Sequence, residues 1–135
     1  MAHLLIVDDD LGVSWSLAKL AERMGLAADT VSTAEEAFVR LQDGSPDLVL
    51  LDIRLPKMDG LTAMRTIHRL SGDVPIIVMS AFNDLTTIKT AYRRGAAAFL
   101  KKPFTMEEVR SLILRTLCHH PIDEQETVPP PHQRA

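Results

Sequence analysis

The chain has 135 residues, of which 46% are hydrophobic and 24% are charged, and its formal net charge is -3. This composition predicts one globular domain of ordinary size with enough aliphatic surface for a buried core, and it excludes a disordered chain. Acidic residues outnumber basic ones by 18 to 15, so the chain lacks the basic excess that binds nucleic acid or anionic lipid through charge alone, and we expect no direct contact with nucleic acid.

The first strand is predicted at residues 4–8, where the apolar run LLIV precedes three aspartates. A run this short forms neither a signal-peptide core nor a membrane span, so we expect a cytoplasmic protein without membrane contact. Asp8 and Asp9 end this strand. Asp10 stands where the following helix needs an N-cap.

Four more predicted strands alternate with five amphipathic helices. Two strands are continuously apolar, DLVLLD at 47–52 and PIIVMS at 75–80, as expected for strands buried on both faces. Weaker strands are predicted at 28–32 and 97–100. The apolar residues that recur at helical spacing, and that we expect to face inward, are Val13, Leu17, Leu20 and Met24; Ala34, Ala37, Phe38 and Leu41; Leu61, Met64 and Ile67; Leu85, Ile88 and Tyr92; and Val109, Leu112, Ile113 and Thr116.

Capping signals support these helices independently of the apolar pattern. Two residue pairs have the spacing of a capping box, Thr33 with Glu36 and Thr105 with Glu108. Four glycines stand just past helical segments, where a left-handed residue ends a helix: Gly25, Gly44, Gly72 and Gly95. Strands that alternate with helices need right-handed crossovers, so the predicted fold is a doubly wound α/β fold with a parallel sheet.

The composition changes at His119. Residues 119–135 contain four of the eight prolines and few apolar residues, which predicts an extended linker or tail. We therefore assign residues 1–118 to the folded domain and residues 119–135 to a flexible tail. Cys118, the one cysteine of the chain, is predicted to be a buried or half-buried thiol late in the last helix.

Acidic side chains follow two of the predicted strands. Asp8 and Asp9 follow the first strand and Asp52 ends the third, at the sheet edge where ligands bind in doubly wound folds. If these strands are neighbours, three carboxylates converge, and each like-charged pair at a distance of about 4 Å costs about 4 kcal/mol at an effective dielectric constant of about 20. A cation must offset this cost, and carboxylate oxygens favour Mg²⁺.

Two more strand ends carry matching groups. Ser80 ends the fourth strand with a hydroxyl, and Lys102 follows the fifth strand with an ammonium group. Together with the acids they predict a site in which Asp52 is the nucleophile and Ser80 and Lys102 hold phosphoryl oxygens. The predicted chemistry is phosphoryl transfer to a carboxylate.

These residues lie in stretches that resemble the receiver domains of bacterial two-component response regulators. The stretches are LLIVDDD at 4–10, DLVLLDIRLPKMDG at 47–60, PIIVMSA at 75–81 and GAAAFLKKPF at 95–104. The resemblance implies a CheY-like fold, in which five helices surround a five-stranded parallel sheet of order 2-1-3-4-5. It also implies a signalling phosphoacceptor rather than an enzyme.

The resemblance also assigns roles to individual residues. Asp52 is then the phosphoacceptor, and Ser80 and Lys102 bind the phosphoryl group. Mg²⁺ is held by Asp8, Asp9, Asp52 and the backbone carbonyl of Arg54. The Lys102-Pro103 peptide bond is then cis.

Partners and switching follow from the same resemblance. The phosphoryl donor is a sensor histidine kinase, and the face of the fourth helix, fifth strand and fifth helix forms a receiver-receiver dimer. Ser80 moves toward the phosphoryl group, and Phe99 turns inward into the vacated space. Arg54 and Phe82 flank the path of the attacking water, and their bulk implies slow hydrolysis of the phosphoryl group.

Trp15 and the stretches SAFNDL at 80–85 and AYRRGA at 91–96 are similar to NtrC-type activators. In those proteins an ATPase domain and a DNA-binding domain follow the receiver, so the output is control of transcription. A stand-alone single-domain receiver stays open as an alternative. A haloacid-dehalogenase-like phosphatase is disfavoured because it needs a second acid two residues after the nucleophile, where this chain has Arg54.

Overall fold

The computed structural model describes residues 2–82 and 84–123, in which five strands alternate with five helices. In chain order these are β1 (His3–Val7), α1 (Leu11–Arg23), β2 (Ala27–Val31), α2 (Ala34–Gln42), β3 (Leu48–Asp52), α3 (Gly60–Ser71), β4 (Ile76–Ser80), α4 (Leu85–Arg93), β5 (Ala98–Lys101) and α5 (Met106–Asp123). The strands form one parallel sheet of order β2-β1-β3-β4-β5. The predicted fold class and strand order are both confirmed.

The sheet separates two hydrophobic cores because successive side chains of a strand point to opposite faces. Leu5 and Val7 of β1 pack on the side of α2 and α3. Leu4 and Ile6 pack on the side of α1 and α5. None of the four is more than 1% exposed, and this double burial explains why β1 reads as a continuous apolar run. It also holds the carboxyl ends of the strands at one edge of the sheet.

Polar caps begin the helices as the sequence predicts, with one difference. The Asp10 carboxylate caps α1 by accepting from the Gly12 and Val13 amides. At Thr33 the hydroxyl accepts from the Glu36 amide, 3.1 Å away, but the Glu36 carboxylate accepts from the amide of Ser32 rather than that of Thr33. The Ser32 amide is the first one beyond β2 and needs this partner.

The second capping box is complete. The hydroxyl of Thr105 accepts from the amide of Glu108, at 3.1 Å, and the Glu108 carboxylate accepts from the amide of Thr105, at 2.8 Å. This reciprocal pair holds the start of α5 directly after the loop that carries Lys102.

The predicted inward face of α4 is wrong. Leu85 and Tyr92 are 65% and 48% exposed, and Ala91 is the one buried residue of this helix. The helix packs into the core through Ala91, and Ile88 is partly buried, so the inward stripe is rotated from the predicted one. A small alanine lets the helix lie close to the sheet, so the bulkier Leu85 and Tyr92 stay outside.

Helix α5 corrects one further expectation and extends past a predicted boundary. Its buried side runs through Val109 and Ile113 to the partly buried Leu117, and Cys118, one residue later, is turned by about 100° and is exposed rather than buried. The helix also continues to Asp123, beyond the predicted boundary at residue 118. The rest of the predicted tail, residues 124–135, lies outside the described residues.

Across the part of the chain described, no helix combines the length and the apolar character that a membrane crossing requires.

Gly60, the first residue of α3, gives a test of this packing. Its α-carbon lies so close to the end of β3 that a Cβ would meet the Asp52 carbonyl oxygen and would stand 2.9 Å from the Ile53 Cα. We expect Gly60→Ala to lower the free energy of unfolding by about 2 kcal/mol, because neither backbone atom has room to move. Urea unfolding measures this change.

Gly12→Ala is the matched control. A Cβ there meets only the Asp10 carboxylate at an ordinary 3.4 Å, and alanine favours a helix over glycine, so this variant should be as stable as the wild type or more stable. Equal stability of the two variants would contradict the close approach at Gly60.

Candidate functional site

Three neighbouring strands, β1, β3 and β4, lead into the same local turn. In each turn a buried side chain at the strand end accepts a hydrogen bond from the backbone amide two residues further on. The three bonds are Asp10 N to Asp8 Oδ1 at 2.9 Å, Arg54 N to Asp52 Oδ1 at 3.0 Å and Phe82 N to Ser80 Oγ at 2.8 Å. Asp8, Asp52 and Ser80 are 1%, 4% and 0% exposed. The turns therefore orient all three side chains toward one edge of the sheet.

A serine that the sequence analysis did not select supports the first turn. Ser14 of α1 is buried, and its hydroxyl donates to the Asp8 carbonyl at 3.1 Å. A polar residue directly after Val13, on the inward side of α1, is the signal that could have identified it. Ser14 holds the backbone of Asp8 against the start of α1.

Lys102 joins the two buried carboxylates. Its Nζ lies 2.9 Å from Asp8 Oδ2 and 3.1 Å from Asp52 Oδ2. The Lys102 amide donates to the Ser80 carbonyl at 2.8 Å, and the peptide bond to Pro103 is cis, as the resemblance implies. The structure thus brings four of the predicted site residues from distant parts of the chain into direct contact or adjacent positions.

Burial and charge set the protonation behaviour of this cluster. Burial raises the pKa of Asp52 to about 6, and the Asp8 charge adds to this effect, while hydrogen bonds from the Arg54 amide and from Lys102 oppose it. Burial by itself would lower the pKa of Lys102, but its hydrogen bonds and charge interactions with Asp8 and Asp52 outweigh burial and raise that pKa. Lys102 therefore stays charged throughout the pH range in which Asp52 titrates.

The carboxylates match the oxygen donors that Mg²⁺ prefers. Asp8, Asp9 and Asp52 each offer one oxygen, and these atoms all lie within 4.8 Å of one another. Asp9 is exposed, whereas Lys102 pairs with the other two acids. Three carboxylates and one ammonium group leave an excess of negative charge in an open cleft, so the residues present fit a hard divalent cation.

The remaining predicted residues surround this cluster. The Ser80 hydroxyl accepts from the Phe82 amide, which leaves its own proton available for donation. Phe99 lies on β5 opposite Val78 and is half-buried against the core on the side of α2 and α3. The Arg54 guanidinium stacks over the Phe82 ring, 4.6 Å from the ring centroid. The sequence analysis placed Arg54 and Phe82 beside the site but did not predict their contact.

Comparison with known proteins adds an independent line of information. The family described as "Response regulator receiver domain" matches residues 4–114. The DNA-binding transcriptional regulator NtrC of Salmonella typhimurium is 35% identical over 120 residues, which cover 89% of this chain and 26% of that protein. The probable C4-dicarboxylate response regulator DctR of Halalkalibacterium halodurans is 36% identical over 115 residues, which cover 84% of this chain and 50% of that protein.

A solved structure agrees with these relatives. The crystal structure of a two-component response regulator from Clostridium difficile superposes with a TM-score of 0.85 at 27% sequence identity, covering 89% of this chain and 98% of that one. The chain spans about a quarter of the length of the NtrC relatives that it matches.

The raised pKa of Asp52 predicts how stability depends on pH. Because its pKa is raised, Asp52 favours the folded state most when it is protonated. This contribution to the free energy of unfolding is complete below the ordinary pKa of 3.8 and is lost as the pH rises through about 6. Asp52→Asn cannot ionise, so its stability advantage over the wild type should grow by about 2 kcal/mol between pH 4 and pH 7. Urea unfolding in EDTA across this range measures the difference.

Asp84→Asn provides a control of opposite sign. Asp84 is an exposed N-cap whose pKa is lowered by hydrogen bonds from the Thr87 hydroxyl and amide. The stabilising effect of Asp84 is present at neutral pH and is lost as the pH falls. The free energy of unfolding of Asp84→Asn should therefore decrease relative to that of the wild type as the pH rises. If the advantage of Asp52→Asn does not grow between pH 4 and pH 7, burial does not govern the protonation of Asp52.

Proposed function

This chain belongs to the family of response regulator receiver domains, and on that basis we propose that Asp52 accepts a phosphoryl group from a sensor histidine kinase in a Mg²⁺-dependent reaction. The observation that carries the proposal is the Lys102 ammonium group, which bridges Asp8 and Asp52 at 2.9 and 3.1 Å. A carboxylate beside a fixed cation and a free hydroxyl donor is arranged for phosphoryl transfer.

In the proposed reaction a carboxylate oxygen of Asp52 attacks phosphorus in line with the leaving group. A bond forms between that oxygen and phosphorus, while the phosphorus-nitrogen bond to the kinase histidine breaks and its electron pair stays on nitrogen. The Ser80 hydroxyl turns toward one phosphoryl oxygen and donates a hydrogen bond to it, and Lys102 neutralises another. Lys102 already lies beside Asp52 before the reaction, so the cation needs little reorganisation.

Asp8, Asp9 and Asp52 would hold Mg²⁺, with the Arg54 backbone carbonyl as a further ligand. When bound, the ion supplies positive charge against the phosphoryl oxygens and the carboxylates. The residues of the chain have roles that are separate from that of the ion. Asp52 supplies the nucleophile, Lys102 holds it in position, and the Ser14 hydroxyl and the Asp10 amide fix the orientation of Asp8.

The relatives support a proposal about the output, which this domain does not itself carry. NtrC is named as a DNA-binding transcriptional regulator, and this chain corresponds to about a quarter of it. We therefore place this receiver in a regulator of transcription whose ATPase and DNA-binding parts lie outside the matched region. Phosphorylation would act on those parts, or on a second receiver, through the face formed by α4, β5 and α5.

The structure of α4 suits a mobile element. The helix has Ala91 as its one buried residue, so moving it breaks few apolar contacts. Its carboxyl end is held, because Arg94 donates to the Leu61 carbonyl at 3.0 Å and Gly95 lies so close to His68 that a Cβ there would stand 2.8 Å from His68 Cε1. Its amino end carries the exposed Leu85. We expect α4 to move at that amino end when Ser80 turns toward the phosphoryl group and Phe99 turns inward.

Acetyl phosphate tests the acceptor. Incubation with acetyl phosphate and Mg²⁺ should add one phosphoryl group at Asp52, and EDTA should prevent the addition, because the unshielded carboxylates repel the donor. Intact-mass spectrometry counts the groups added. Asp59→Asn, which changes the exposed N-cap of α3, is the control and should react as the wild type does. An Asp52→Asn variant that gains as much phosphate as the wild type would disprove the assignment.

Amide hydrogen exchange tests the switch. Beryllofluoride with Mg²⁺ mimics the phosphoryl group, and we expect it to change exchange in residues 82–104 of the wild type. Phe99→Ala should bind beryllofluoride but lose most of this change, because the ring that fills the vacated space is gone. Phe38→Ala removes a half-buried ring of the same core on α2 and should keep the change. Equal responses in the two variants would exclude Phe99 as the switch.

A further inference from the structure

Arg54 and Phe82 face each other because the chain leaves β3 and β4 through matching turns. Each residue stands two positions after a buried strand-end group, and each donates its amide to that group, Arg54 to Asp52 and Phe82 to Ser80. Since β3 and β4 are neighbours, the two side chains meet across the site. The guanidinium carbon lies 4.6 Å from the ring centroid.

The Arg54 guanidinium contacts an aromatic ring although it lies in a cleft with acidic side chains. Arg54 lines the same cleft as Asp9, Asp52 and Lys102. Within residues 2–82 and 84–123, however, it forms no ion pair with a carboxylate. It rests on an aromatic ring that is about half exposed. A ring face at an exposed site holds a cation more weakly than an anionic oxygen does.

A phosphoryl group on Asp52 would change this balance. It would place anionic oxygens within the reach of an arginine only two residues away, and the planar guanidinium fork matches phosphoryl oxygens. We propose that the Arg54 guanidinium is a phosphoryl ligand that stacks on Phe82 before phosphorylation. It moves from the ring to the phosphoryl oxygens when Asp52 is phosphorylated. This inference rests on the proposed function of Asp52.

The movement of Arg54 from the Phe82 ring to the phosphoryl group also affects α4. Phe82 stands two residues before Asp84, the N-cap of this helix, and its amide is bonded to the Ser80 hydroxyl. When Arg54 leaves the ring, Phe82 loses its contact with the β3 side of the site. The phosphoryl group then releases the amino end of α4 through Arg54, in addition to its effect on Ser80.

The experiment compares two affinities by isothermal titration calorimetry, that for Mg²⁺ alone and that for beryllofluoride in saturating Mg²⁺. Arg54→Gln should weaken beryllofluoride binding about tenfold, the loss expected for one charge-assisted hydrogen bond. It should tighten Mg²⁺ binding, because the substitution removes a positive charge from the cleft and keeps the Arg54 backbone carbonyl, the proposed Mg²⁺ ligand. Phe82→Leu should tighten beryllofluoride binding about threefold, because the competing ring is gone.

Three further variants test the pair. In Arg54→Gln/Phe82→Leu the tightening by Phe82→Leu should vanish, because no guanidinium remains to be released. Lys19→Gln is the matched control. It removes the same charge and breaks a second cation-π contact, that of Lys19 with Trp15 at 5.6 Å on α1, and it should change neither affinity. Urea unfolding verifies that each variant is folded, and Arg54→Lys should restore part of the lost affinity.

The outcomes separate this inference from the proposed function. If the wild type does not bind beryllofluoride in Mg²⁺, the proposed function fails and the inference fails with it. If the wild type binds and Arg54→Gln binds equally well, Arg54 is not a phosphoryl ligand. If Phe82→Leu weakens binding as much as Arg54→Gln does, the ring supports the site and does not compete for the guanidinium, and the inference is overturned.

Discussion

The Lys102 ammonium group lies between the Asp8 and Asp52 carboxylates, and the rest of the site depends on this contact. Both acids are almost fully buried at the ends of neighbouring strands, where two unpaired negative charges would repel each other strongly. The lysine comes from the end of β5, at the edge of the sheet, and reaches past β4 to β3 and β1. Lys102 therefore links β5 to β1 and β3 through its side chain and to β4 through its backbone amide, at the edge where the predicted site residues lie.

The fold tolerates this acidic cluster because the hydrophobic cores, and not the cluster, stabilise the fold. Two separate cores cover the faces of the sheet, and the strand ends project from a backbone that is already fixed by parallel pairing. Burial and the Asp8 charge raise the pKa of Asp52, so its ionised form lowers the stability of the fold. Carboxylates held away from water and close to a second carboxylate are characteristic of functional sites.

The two ends of α4 differ in a way that connects the site to a surface. The carboxyl end is tied to α3 through Arg94 and through the contact of His68 with Gly95. The amino end follows closely after Ser80 and Phe82, the residues that we propose respond to phosphorylation of Asp52. A helix that is fixed at one end and loosely packed along its length converts a small local change into a larger displacement at the other end. Leu85 and Tyr92, exposed on this helix, are the groups that such a movement would present to a partner.

The sequence by itself determined the fold class, the number and order of the elements, and five of the strand-end groups of the site, Asp8, Asp9, Asp52, Ser80 and Lys102. It could do so because continuous apolar runs mark buried parallel strands, and because a polar residue that ends such a run must lie at the carboxyl edge of the sheet. Those conclusions need only local pattern and the rules of chain topology.

Only the tertiary structure decided how the elements rotate against one another. The inward face of α4, the exposure of Cys118 and the bond from the Ser32 amide to Glu36 each depend on a rotation or shift of about one residue, which helical periodicity does not specify. The contacts of Ser14 with Asp8 and of Arg54 with Phe82 depend on how two turns approach in space. Their residues are visible in the sequence, but the distances between them are set by packing, because separate turns meet only after the sheet and its helices have assembled.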